Sequence, residues 1–253
     1  MNETTALSSD QQCADEAGAR RGVLNLPRIE EDLLETRRWM KSRLRADTGL
    51  RRPDLIGIER MMAGYRLVDA MLARRIDLFA PGNSHLFLEL NALVLCGDDA
   101  AVREEARRHL TASERRFYDS EPPGGIRDIV EWHASHRREP SRLRAAGIYI
   151  RILSEPELFI EGNHRTGVLV MSYILAGNGL PPFVLSPTNA REFGVLSTGF
   201  AAKRKTGPYL AFQMPWLKRR LARFLGRHEN SAYILSSREI PASQSDSTLH
   251  SSP

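Results

Sequence analysis

Apolar residues recur along most of this chain at intervals of three and four, the spacing that gathers them on one face of an α-helix. From Glu30 to Arg45 the apolar positions are Leu33, Leu34, Trp39 and Leu44, and Thr48–Pro53 breaks the run. Ile56–Phe79 reads as a longer amphipathic helix closed by Pro81-Gly82. Ser84–Leu95 is apolar on nearly every side, with Ser84 placed as an N-cap, and reads as a buried helix. Ala100–Tyr118 is a strongly charged helical stretch, and Glu121-Pro-Pro-Gly-Gly125 is the clearest non-helical segment in the middle of the chain. Ile126–His136 and Ser141–Leu153 follow, then the apolar helix Val168–Ala176, then Asn189–Lys203 and Pro208–Leu225. Strand-like alternation is nearly absent. The pattern predicts an all-α fold with at most one small β-hairpin.

The ends differ from this pattern. Residues 1–25 are mostly polar and without a sustained period, and residues 229–253 are Ser-rich with scattered charge. Both are expected to be disordered tails on one helical domain spanning residues 26–228.

Composition changes the picture little. A hydrophobic share of 42% with 26% charged residues is that of an ordinary globular protein. The formal charge of +5 rests almost wholly on arginine, and it favours anionic partners such as nucleotides. No run of 18 apolar residues is present, so no transmembrane helix and no membrane partner are expected. The two cysteines, Cys13 and Cys96, make no disulfide framework. The default setting is cytoplasmic, and a secreted effector would have the same composition.

Chemistry concentrates in Glu157–Gly167, read E-L-F-I-E-G-N-H-R-T-G. Gly162 allows a tight turn or a close approach to a ligand. Backbone N–H groups from Gly162 to Thr166 would open a helix, where orphan donors and the dipole favour an anion. Glu161 is a hard oxygen ligand of the kind Mg²⁺ takes when it is shared with a phosphate. Arg165 can grip phosphate oxygens in a bidentate fashion. The plainer reading is a helix start capped by Asn163, with Arg165 a solvated charge.

The string resembles the signature of the Fic/Doc (Fido) family, whose core motif runs His-Pro-Phe-x-Asp/Glu-Gly-Asn-Gly-Arg-x-x-Arg. Phe159, Glu161, Gly162, Asn163 and Arg165 fall on matching positions. The resemblance implies a Fido-type helical bundle that moves AMP from ATP, with Mg²⁺, onto a hydroxyl of a target protein. Glu161 would hold the metal. Gly162, Asn163, His164, Arg165, Thr166 and Gly167 would bind phosphate. A flap that aligns the target would lie upstream, where residues 121–125 are the candidate.

Three positions depart from the signature. Glu157 stands where the family has its catalytic histidine, Val168 stands for a second arginine, and His164 replaces a glycine. Glu157, with a carboxyl raised by burial, or His164 would then serve as base. The alternative is an inactive scaffold that binds a nucleotide or a protein. No copy of the family's inhibitory helix is found, in keeping with the loss of the arginine it would pair with.

Two other features carry less. His133 and His136 are one turn apart, but no third metal ligand follows at a diagnostic spacing. Lys203-Arg204-Lys205 and Lys218-Arg219-Arg220 with Arg223 are basic, yet few aromatics interleave them, so no nucleic-acid partner is expected.

Overall fold

The computed structural model describes residues 23–43, 55–119, 124–205 and 208–235. Among these residues the fold is all-α: ten helices, a short 3₁₀ turn and no strand. In chain order they are α1 (Leu26–Arg43), α2 (Leu55–Ala73), α3 (His85–Cys96), α4 (Ala100–Glu105), α5 (Arg107–Asp119) and α6 (Gly125–Ser135). There follow α7 (Ser141–Leu153), α8 (Asn163–Ala176), α9 (Ala190–Ala201) and α10 (Pro208–Arg227).

α7 and α8 form the central pair. From Thr166 to Met171 every residue of α8 is buried, and α7 is buried from Ala145 to Ile150. A helix apolar all round belongs inside a bundle. Close approach of the pair depends on Gly167, where a Cβ would lie 2.9 Å from the Tyr149 ring. α2 and α3 cover α8 on one side, while α9 and α10 cover α7 on the other.

Several boundaries differ from the sequence pattern, each for a local reason. The run Ile56–Phe79 ends as a helix at Ala73, because Arg75 takes a positive φ of 54° and turns the chain. Ser84 holds the N-cap position of α3 as expected, but its side chain makes no capping bond; its hydroxyl lies 3.2 Å from that of Tyr118 instead. The charged run Ala100–Tyr118 is two helices broken at Ala106, the first capped by Asp99 through the N–H groups of Ala101 and Val102. In the candidate flap, residues 120–123 lie outside the described residues, and Gly124-Gly125 begin α6.

The stretches next to the domain that read as tail are docked onto it. Asp69 accepts from the N–H groups of Val23 and Leu24 at 2.6 and 2.7 Å. Leu24 bridges Ile234, and the buried Tyr233 hydroxyl donates to Asp32. The helical body therefore extends past residues 26–228 at both edges. No helix among the described residues is long and apolar enough to cross a membrane.

Candidate functional site

The motif leaves α7 through a loop that is tied down at both ends. Ser154 N–H donates to Ile150 O, and Glu155 forms a parallel bridge with Arg204, its N–H donating to Lys203 O at 2.7 Å. The Lys205 ammonium donates to Pro156 O at 2.8 Å from a position only 7% exposed. Burial, only partly offset by Asp128, lowers its pKa to about 8. Leu158 and Phe159 are fully buried, and the Phe159 ring stacks on Phe117.

Asn163 is the pin of the loop. Its side-chain oxygen accepts from Phe159 N–H at 2.9 Å, and its amide donates to Phe159 O and to the Glu157 carboxylate at 2.9 and 2.8 Å. The cap of α8 is Gly162, not Asn163, with a left-handed φ of 82°. A Cβ there would also lie 2.8 Å from the Asn91 amide. Asn91 is a buried amide that donates to Glu161 O and to the Thr166 hydroxyl at 2.9 and 3.1 Å. It sits in a mostly apolar helix whose other polar side chains are His85 and Glu89, and an amide in such a run was the available sequence signal.

Beside the start of α8 lies a cavity of about 520 Å³. Glu161, His164, Arg165 and Val168 line it, together with groups of α1 and α2 such as Met40, Met61 and Tyr65. Arg165 reaches Val94 O at the end of α3. His109, from the charged helix α5, brings Nε2 to 3.9 Å of the Glu161 carboxylate. Nothing in the sequence distinguished this histidine from its charged neighbours. His164 is exposed as a residue but places Nδ1 2.6 Å from the buried Ser197 hydroxyl, and partial desolvation lowers its pKa.

The proposed phosphate ligands divide here. Glu161, His164 and Arg165 come together on the cavity wall, at the start of α8. Thr166 and Gly167 do not join them. The Thr166 side chain is fully buried against Asn91, and its N–H closes the first turn onto Gly162 O. Gly167 is buried against α7 and serves packing. The Asn163 side chain is spent on the loop, so only its backbone is available.

Glu157 also stands apart. It lines a second, shallower opening of about 470 Å³ with Arg116, Glu155, Pro156 and Arg204. Burial raises its carboxyl above the ordinary range, against the pull of Arg116 and the Asn163 hydrogen bond.

The donor set bears on a metal. Among the described residues no three His, Cys, Asp or Glu side chains gather to hold one. The half-exposed Glu161 carboxylate on the cavity wall suits Mg²⁺ that takes most of its ligands from water and a phosphate. His133 and His136 are not arranged as a ligand pair. His133 stacks on Phe79 and His136 on Trp132, whose carbonyl its Nδ1 meets at 2.8 Å. The basic stretches are likewise interrupted, since Lys205 and Lys218 are buried and Lys218 is paired with Glu139 at 2.7 Å.

No family model matches this chain, and no curated protein does. Among solved structures it is similar to Fic-1 from C. elegans, with a TM-score of 0.41 and 17% sequence identity, covering 89% of this chain and 67% of that one.

Proposed function

We propose that this chain is a Fic-like protein that binds ATP with Mg²⁺ at the start of α8 and transfers AMP to a hydroxyl of a target protein. One observation carries the reading. The left-handed Gly162 opens α8 onto a cavity whose wall gathers a carboxylate, an imidazole and a guanidinium from five consecutive residues. A helix N-terminus with an arginine beside it is built for phosphate oxygens. The apolar residues that also line the cavity, such as Met40 and Met61, suit a nucleoside.

In this reading Glu161 holds Mg²⁺, which neutralises phosphate charge when bound. Arg165 and the backbone N–H groups of Asn163, His164 and Arg165 orient the phosphates. The target's hydroxyl oxygen forms a bond to the α-phosphorus as the bond to the bridging oxygen of pyrophosphate breaks. The hydroxyl proton passes to Glu157 only where the target's hydroxyl enters from that residue's own opening, within hydrogen-bond reach of its carboxylate; burial there makes it a better base than an ordinary carboxylate. Positioning and electrostatics dominate such transfers, so the missing histidine need not abolish the activity.

A second reading is favoured by the placement of Glu157 on a separate opening, with its carboxylate held by Asn163. The chain is then a non-catalytic module that binds a nucleotide or a protein. Calorimetry of ATP with and without Mg²⁺ tests what the two share. Magnesium-dependent binding weakened by Glu161→Ala and Arg165→Ala is expected, and no binding would overturn the nucleotide site. Transfer of labelled AMP, raised by Glu157→His, separates them: binding without labelling in either form leaves the module.

A further inference from the structure

A chain of three side chains runs from the core to the cavity. The Tyr149 hydroxyl lies 2.5 Å from that of Ser197, and Ser197 lies 2.6 Å from His164 Nδ1. Tyr149 and Ser197 are buried, on α7 and α9, and His164 is on the wall of the cavity at the start of α8. Three groups share two contacts, so the protons can be counted.

If Tyr149 donates to Ser197 and Ser197 donates to His164 Nδ1, every proton has an acceptor. The imidazole then carries its proton on Nε2. If His164 instead donates from Nδ1, Ser197 must donate to Tyr149, and the phenolic proton is left buried without an acceptor. If both His164 and Tyr149 donate to Ser197, the serine proton is stranded in the same way. Buried unsatisfied donors are costly, so the first arrangement prevails. A charged imidazole has a proton on both nitrogens and is excluded by the same count. Burial of His164 acts in the same direction.

The geometry points to Tyr149 and Ser197 as positioning residues that hold His164 neutral, with its proton on Nε2. His164 is therefore a hydrogen-bond donor to an anionic oxygen in the cavity, and not a base. The ligand's identity rests on the nucleotide reading above; the tautomer does not. The charged and titratable groups that share the cavity with His164 are Arg60 and Tyr65 on α2, Cys96 on α3, His109 on α5, and Glu161 and Arg165 beside it. Arg165 and the α8 N-terminus already favour an anion there, and a neutral N–H donor adds to them at no cost in proton uptake.

Long-range ¹H–¹⁵N spectra of the ligand-free protein, with His164 assigned by its loss in His164→Gln, read the tautomer directly. The expected result is an unprotonated Nδ1 and a protonated Nε2. In the double variant Ser197→Ala/Tyr149→Phe, which removes the chain without orphaning either hydroxyl, His164 should titrate about one pH unit higher. Ser197→Thr, which keeps the hydroxyl, should preserve the wild-type tautomer and midpoint. A proton on Nδ1 in the wild type, or an unchanged midpoint in the double variant, would overturn the inference. ATP that fails to bind while the tautomer stands removes the nucleotide reading alone.

Discussion

Glu157 and Glu161 are four residues apart in one loop, yet they serve two openings. Glu161 sits on the cavity wall with His164 and Arg165, while Glu157 sits with Arg116, Glu155 and Arg204. On a helix a spacing of four would place both on one face. Here the segment between them is non-helical and buries Leu158 and Phe159, and the left-handed Gly162 turns the chain directly after Glu161. Binding chemistry and candidate proton transfer are thus physically separable in this molecule, and each can be perturbed without touching the other.

The severest break is at the hinge itself. Gly162→Ala forces a left-handed backbone on a residue with a Cβ and drives that atom to 2.8 Å of the buried Asn91 amide. Backbone strain and overpacking together should cost about 2–4 kcal/mol, read as a lowered urea midpoint. Nucleotide binding should be lost with the loop, since Asn91 also holds Glu161 O. A variant as stable as the wild type would mean that the loop has an alternative path, and the division between the openings would not be fixed.

Arg165→Ala tests the cavity side alone. Losing a charge-assisted contact to phosphate is worth about 1.5–3 kcal/mol, which is roughly ten- to a hundredfold in ATP affinity. Stability should change less than affinity, because the side chain is only partly buried, where water can take over its bond to Val94 O at the end of α3. Calorimetry and urea unfolding on the same preparation decide it.

The anchor of the other opening is tested through pH. Lys205 has a folded pKa of about 8 against an ordinary 10.5, so the unfolded chain binds more protons between those values. Stability should therefore rise with pH across that window, by on the order of 2 kcal/mol up to pH 10. Above pH 10 the buried Tyr65 and Tyr149, whose pKa values burial raises, turn the curve downward again. Lys205→Met should flatten the rise. Urea midpoints at pH 7.5, 8.5 and 9.5 check this, and a wild-type profile that falls over that range would contradict a desolvated lysine under the loop.

What was legible in the sequence follows the range of the forces involved. The helices of the central pair could be read because periodicity is local, and Ser141–Leu153 appears with the same ends. The left-handed turn at Gly162 and the carboxylate, imidazole and guanidinium beside it were also legible, because all lie within one short string. Partners from distant segments were not. Asn91, His109 and Ser197 reach the motif from α3, α5 and α9, and only the packing of those helices brings them there. That Thr166 and Gly167 face neighbouring helices was not legible for the same reason. A string shows which residues follow a turn, but not which of them face the neighbouring helix.

The mildest change bears most directly on chemistry. Glu157→Gln keeps an oxygen that can accept from Asn163 and removes the charge that burial disfavours. The carboxyl is only half-buried, so solvent screening limits the gain at neutral pH to under about 1 kcal/mol. The sign is definite. A raised carboxyl pKa penalises the folded wild type above that pKa, and the penalty fades as pH falls through it towards the unfolded value. The variant's advantage should shrink over the same interval. ATP affinity should stay within about twofold, since Glu157 does not line the cavity at the start of α8, whereas AMP transfer should fall by about 10²-fold or more if this carboxylate is the base. Affinity lost along with transfer would mean that the two openings act as one site. Transfer that survives with affinity intact would strip Glu157 of the base role and leave it as a residue of the loop.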